Sequence, residues 1–191
     1  AGKEKQKPGK RVANFVYILY YYISRGISSG KTKGKAAHPL KITGIIAEYN
    51  PFHKGHQLHI QTARQRGATH VAVVMSGNFV QRGAPALLSK QLRARAALES
   101  GADLVLELPL PYACATAQRF AYGGVATLQG LGCVDELFFG SESGNLDLLE
   151  QAAQAIDDPR LGEALDPLLD QGMTFAQARQ QAVTRLWGEQ V

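Results

Sequence analysis

Four short apolar runs, each released into a loop and then a helix-patterned stretch, constrain this chain more than any other feature. They are ITGIIAE (Ile42–Glu48), HVAVVM (His70–Met75), DLVLEL (Asp103–Leu108) and ELFF (Glu136–Phe139). Runs this short and this poor in polar alternation are buried on both faces, as strands of a parallel sheet are. Between them the spacing predicts helices from about His56 to Arg66, closed by Gly67, and from the cap Ser89 to Ser100, closed by Gly101. A longer apolar helix follows over Ala113–Leu128, after a stop at Pro109 and Pro111, and another over Leu146–Ile156, broken by Asp157-Asp158-Pro159. Two trailing helices are expected over Leu161–Leu169 and Phe175–Trp187. Strand and helix alternate four times, which predicts an α/β fold: a doubly wound parallel sheet with right-handed crossovers. Such sheets bind ligands beyond the carboxyl ends of their strands, where strand order reverses, so the loops at 49–55, 76–84, 109–112 and 140–145 are where chemistry is expected.

Charge divides the chain. Its formal net charge is +5, yet residues 1–41 hold ten Lys and Arg against the single acid Glu4, and residues 42–191 hold eleven against fifteen Asp and Glu. The basic character belongs to a leader, while the body is mildly acidic and carries no broad footprint for nucleic acid. Residues 1–40 are expected to be a basic, flexible extension outside the fold, residues 41–156 a ligand-binding α/β domain, and residues 157–191 a helical segment that starts a further part. The longest apolar run, Phe15–Ile23, falls well short of the ~20 residues that cross a bilayer. A basic region precedes it as in a signal peptide, but no small-residue cleavage site closely follows. Cys114 and Cys133 form no CxxC and fit no zinc spacing. They are expected to be free buried thiols in a reducing, cytoplasmic setting.

The loop Asn50-Pro-Phe-His-Lys-Gly-His56, between a buried strand and a helix start, carries the sharpest chemical signal. A helix N-terminus offers free N–H groups and positive dipole potential to a phosphate. Gly55, without a Cβ, lets a flat base or a phosphate approach the backbone. His53 and His56, three apart, can aim ring donors at one phosphoryl group as it becomes pentacoordinate, so both are candidate catalytic residues acting by electrostatic stabilisation. Two other readings stay open. His53, His56 and His59 stand at i, i+3 and i+6 and invite a metal, although no HExxH register is present; alternatively the histidines simply satisfy a helix start. The strand–loop–helix context favours the phosphate.

The motif resembles the HxGH signature of nucleotidyltransferases, which transfer an adenylyl group from ATP and release pyrophosphate. With IIAEYNPFHKGHQLHI, VVMSGNFVQRGAPALLSK, ADLVLELPLPYACATAQRFAYGGV and ELFFGSES in this order, the chain is similar to one family in particular, the bacterial tRNA(Met) cytidine acetate ligases, closely over about 41–145 and loosely over 146–191. The resemblance implies a Rossmann-like HxGH nucleotidyltransferase domain. It implies activation of acetate with ATP and Mg²⁺ as acetyl-AMP, then transfer to N4 of the wobble cytidine of elongator tRNA(Met). It also implies an ATP site formed by Ile46, Ala47, Glu48, Tyr49, Asn50, Pro51, Phe52, His53, Lys54, Gly55, His56, Gln57, Leu58 and His59, joined by Gly140, with no metal held by the protein itself.

Other polar residues have two readings each. Ser76–Arg82 supplies groups suited to a carboxylate, phosphate or nucleotide, or is a capped surface loop. Lys90 and Arg93 reach pyrophosphate or tRNA, or are solvated helix charges. Gln118 and Arg119 are expected to be buried polar anchors, and Glu107 and Glu142 to orient basic neighbours. His38 and His70 have no supporting constellation. The family's site is completed by an Asn from a Pro-Asn motif and an Arg from a Ser-Thr-Arg motif, and neither occurs before Val191. The chain is therefore expected to be the nucleotide-binding part of the ligase, inactive alone, with its main tRNA contacts elsewhere. An adenylyltransferase acting on a small phosphate-bearing metabolite and an inactive nucleotide-binding module are the alternatives.

Overall fold

β-branched runs flanked by loops do pair here. The computed structural model describes residues 40–141 and 144–188, so residues 1–39, Glu142, Ser143 and the last three residues lie outside the described residues. Strands β1 (Ile42–Ala47), β2 (His70–Ser76), β3 (Leu104–Leu108) and β4 (Glu136–Leu137) form one parallel sheet in the order β3-β2-β1-β4. The expected α/β, doubly wound sheet is present. Between and after the strands run α1 (Lys54–Gln65), α2 (Lys90–Glu99), α3 (Leu110–Ala113), α4 (Ala117–Gly130), α5 (Leu146–Asp157), α6 (Arg160–Asp170) and α7 (Phe175–Trp187).

β2 is central, and every residue of it after His70 is buried, which explains its lack of polar alternation. β1 uses its two faces differently. Ile45 joins the core that Ile60 and Ala63 of α1 and Ala97 of α2 complete, while Gly44 and Ile46 meet α4. A Cβ on Gly124 would stand 2.6 Å from Ile46 Cδ1, and one on Gly44 2.6 Å from Leu128 Cδ1, so glycine on each partner lets helix and strand approach closely. At the amino edge, polar pairs fix the register. Asp103 accepts from Val71 N at 2.6 Å and from Arg64 at 2.5 Å, and Thr43 donates to Glu136 at 2.8 Å. Burial works against the charge on Asp103, but the Val71 N–H and the Arg64 guanidinium outweigh it and hold its carboxyl below the usual range.

Three expectations are corrected. The segment read as one helix from Ala113 is two, because Thr116 accepts from Arg119 N and starts α4 afresh after the short α3. Gln118 and Arg119 are exposed and not buried anchors, since the apolar face of α4 is carried by Phe120, Ala121, Val125 and Leu128. Both cysteines are free, but Cys133 is exposed and Cys114 half-buried.

The chain divides at Gly140–Ser141. The second unit groups α5 with α6 and α7 around Ala155, Leu161, Leu168, Ala178, Ala182 and Val183. Asp158 joins its turns by accepting from Arg160 and, at 3.1 Å, from Trp187 Nε1. Among the described residues no helix is long and apolar enough to cross a membrane.

Candidate functional site

Strand order reverses between β1 and β4, and the crevice expected beyond their carboxyl ends is present as a cavity of about 350 Å³. It is lined by Ile46, Ala47, Glu48, Tyr49, Asn50, Pro51, His53, His56 and His59, nine of the fifteen positions that the resemblance implied. Phe52 packs against the core behind them, and Lys54, Gly55, Gln57 and Leu58 are exposed on the first turns of α1. Gly140 is exposed, two residues beyond Phe138, and is not part of the lining.

The turn into the site is unusual backbone. Tyr49 has φ 50, in the left-handed region that an aromatic residue seldom occupies, and the Asn50–Pro51 bond is cis. Burial of the Tyr49 ring, 1% exposed within the main core, holds it there. Burial also pushes the Tyr49 phenol up, and its hydroxyl has no partner among the described residues.

His53 caps α1. Its Nδ1 accepts from Gly55 N at 3.1 Å, and His56 Nδ1 accepts from His53 N at 3.3 Å, a reciprocal capping box. The two rings stack with centroids 3.7 Å apart. Each ring thus accepts from the backbone at Nδ1, which leaves Nε2 as the nitrogen that can donate. Burial, with His53 and His59 nearby, brings the pKa of His56 from 6.5 down to about 4, so at neutral pH it is an uncharged imidazole with its proton on Nε2. His59 is a wall of the cavity: its ring stacks on Phe138 at 4.7 Å and its Nε2 is buried without a partner among the described residues. Among the described residues no three His, Cys, Asp or Glu side chains stand together as a metal site. The helix-start reading of the histidines is met through Nδ1, and the donor reading concerns the other nitrogen of the same rings.

The neighbouring loop is tied to this one by contacts with no sequence signature. Glu48 Oε1 accepts from Gln81 N at 2.6 Å and Asn50 Oδ1 from Leu87 N at 2.8 Å. Arg93, fully buried, is neither a solvated charge nor a ligand for pyrophosphate. It donates to the carbonyls of Glu48 at 2.7 Å, Ser76 at 3.1 Å, Leu88 at 3.0 Å and Gly77, clamping the ends of β1 and β2 together. The one available signal was its register: Arg93 and Ala97, four apart, are the two buried residues of α2. Lys90 pairs with Glu107 at 2.5 Å, the orienting role expected of Glu107. His70 is exposed beside Thr69, and Glu142 lies outside the described residues.

A parallel sheet with two stacked histidines at the first helix start is the arrangement that the phosphate reading of the loop called for. The sequence matches HIGH Nucleotidyl Transferase over residues 40–190, and the chain belongs to that family. Among curated relatives it is similar to the tRNA(Met) cytidine acetate ligase of Syntrophotalea carbinolica, 49% identical over 152 residues, which are 78% of this chain and 36% of the relative. A ligase of the same name from Alkaliphilus metalliredigens is 47% identical over 147 residues, 75% of this chain and 35% of the relative. Among solved structures, Thermotoga maritima TmcAL bound with alpha-thio ATP superposes with a TM-score of 0.70 at 38% identity, covering 78% of this chain and 37% of that one. The chain spans about a third of the length of the relatives it matches.

Proposed function

We propose that this chain is the nucleotide-activating part of an ATP-dependent tRNA(Met) cytidine acetate ligase. The observation that carries the reading is the stacked His53–His56 pair at the start of α1, opening on a cavity at the strand-order reversal. In the reaction proposed, an acetate oxygen attacks the α-phosphorus of ATP. The bond to the β-phosphate breaks, and acetyl-AMP and pyrophosphate form. N4 of the wobble cytidine of elongator tRNA(Met) then attacks the acetyl carbon, AMP leaves, and N4 loses a proton. The Nε2–H of His56 and the ring of His53 meet charge developing on the transferring phosphoryl oxygens, a stabilisation that grows toward the transition state. Ile46, Ala47 and the turn 49–51 support the nucleoside end, and the positive end of the α1 dipole faces the phosphates. Glu48 already holds Gln81 N. Mg²⁺ accordingly enters with the ATP phosphates, held by them and by water. An enzyme acting on ATP and tRNA would work in the cytoplasm, which is the localisation this reading carries.

The test joins this chain to the remaining part of the Syntrophotalea carbinolica relative and follows pyrophosphate release from ATP. Release that requires acetate, with acetylcytidine appearing once tRNA is added, is expected. Release that ignores acetate but answers to a phosphate-bearing metabolite would replace this reading with an adenylyltransferase.

A further inference from the structure

The loop after β2 is a built arm. Val80 N donates to Ala84 O at 3.0 Å, Ala86 N to Asn78 O at 2.9 Å, and Phe79 and Pro85 form an antiparallel bridge. Gly83 N closes a four-residue turn on Val80 O at 2.7 Å, so Gln81 and Arg82 form the tip. Three ties hold this arm to the rim of the nucleotide cavity: Gln81 N to Glu48, Leu87 N to Asn50, and Arg93 to the carbonyls of Ser76, Gly77 and Leu88. Glu48 and Asn50 themselves line the cavity. Along the stretch from the arm into α2, Lys90 is engaged by Glu107 and Arg93 by carbonyls. Arg82 is exposed and has no hydrogen bond or ion pair to another described residue. The turn is fixed by three separate ties, two of them to residues that line the cavity, and the guanidinium at its tip has no partner among the described residues, which leaves it open to a ligand.

We propose that Arg82 binds a substrate phosphate at the rim of the cavity, with the arm 77–88 as its fixed mount. The inference rests on the nucleotide reading of the cavity. A guanidinium fork matches a phosphate in two parallel hydrogen bonds, and an ammonium does not reproduce that geometry. Phosphate reaches this rim from two sources, the polyphosphate of ATP and the backbone of an RNA substrate. The chemistry is the same, and the experiment separates them.

The chain joined to the remaining part of the Syntrophotalea carbinolica relative is titrated with ATP, and separately with a short single-stranded RNA at about 0.3 M salt, where loosely held phosphate contacts of the basic leader are weakened. Arg82→Ala is expected to weaken one of the two by about tenfold or more, Arg82→Lys by an intermediate amount, and Arg95→Ala, which removes an exposed charge paired with Glu99 on α2, by neither. Loss confined to ATP assigns the polyphosphate, and loss confined to RNA assigns the nucleic-acid backbone. In an Asn50→Ala background, which cuts one tie of the mount, the effect of Arg82→Ala is expected to shrink, since the two act as a unit. A wild-type chain that binds ATP or RNA with an affinity unmoved by Arg82→Ala overturns this assignment alone. One that binds neither overturns the nucleotide reading and this assignment with it.

Discussion

Protonation of His56 is disfavoured by folding, which gives stability a direction with pH. The free imidazole titrates near 6.5 and the folded one near 4, so between those values the unfolded chain binds the extra proton. The contribution of His56 is fully present above about pH 6.5 and is lost as the pH falls toward 4. The urea midpoint is therefore expected to drop between about pH 6.5 and 4.5, and His56→Gln should flatten that drop, leaving the share owed to His59, whose pKa burial also lowers. An unchanged slope in the Gln variant would place the titration elsewhere. The same neutrality bears on catalysis. An uncharged donor is poorly matched to ground-state ATP relative to a cation and gains most when charge builds on the phosphoryl oxygens. In the fused ligase, His53→Ala or His56→Ala is expected to slow adenylate formation by about 10²–10³-fold while ATP affinity changes far less, measured as single-turnover pyrophosphate release. Equal, mild losses in both would reduce the pair to a helix cap.

Among the elements, the contact between α4 and β1 decides how tightly the floor of the cavity is built, because Ile46 both lines the cavity and touches Gly124. Gly124→Ala adds helix propensity of up to about 1 kcal/mol but drives a methyl into the Ile46 side chain, an overpacking cost of about 1–3 kcal/mol. Net destabilisation and weaker ATP binding are expected. Gly162 in α6 has nothing within 4 Å of its missing Cβ, so Gly162→Ala should raise stability by about 0.5–1 kcal/mol. Thermal melts of the two variants moving in the same direction would contradict this packing argument. The contrast shows what a sequence reveals at this scale. All four strands were legible in order, because parallel strands buried on both faces are continuous apolar runs. β4 is shorter than ELFF promised, since Phe138 turns its ring to His59 and leaves the ladder after one more backbone bond, to Gly44. The helix-start loop was legible as a motif. The bond from Arg93 to the Glu48 carbonyl, the Glu48–Gln81 and Asn50–Leu87 ties, and the Gly124–Ile46 approach were not, because each joins residues more than thirty positions apart and leaves no local period to read.

For the whole molecule, basic charge is concentrated in residues 1–41 and the rest of the chain is acidic, and that asymmetry is measurable. Residues 1–39 carry nine of the chain's Lys and Arg against Glu4, while residues 42–191 carry a net −4. An acidic body attracts RNA poorly at long range, so the leader is expected to dominate affinity at low salt. For single strands the logarithm of the binding constant falls with the logarithm of salt at about 0.7 per phosphate contacted, so full engagement of the leader gives a slope near −6. Deleting residues 1–39 should bring that slope to about −1, the value left by a single contact such as Arg82, and should leave ATP affinity unchanged because the cavity lies wholly within residues 46–59. Filter binding of both chains to one RNA across a salt series reads the two slopes directly. A slope that survives the deletion would place the RNA surface on the folded body, and the acidic balance of residues 42–191 would then conceal a local basic face. A slope that collapses together with ATP affinity would instead show that the leader is part of the site, beside the cavity lining drawn from residues 46–59.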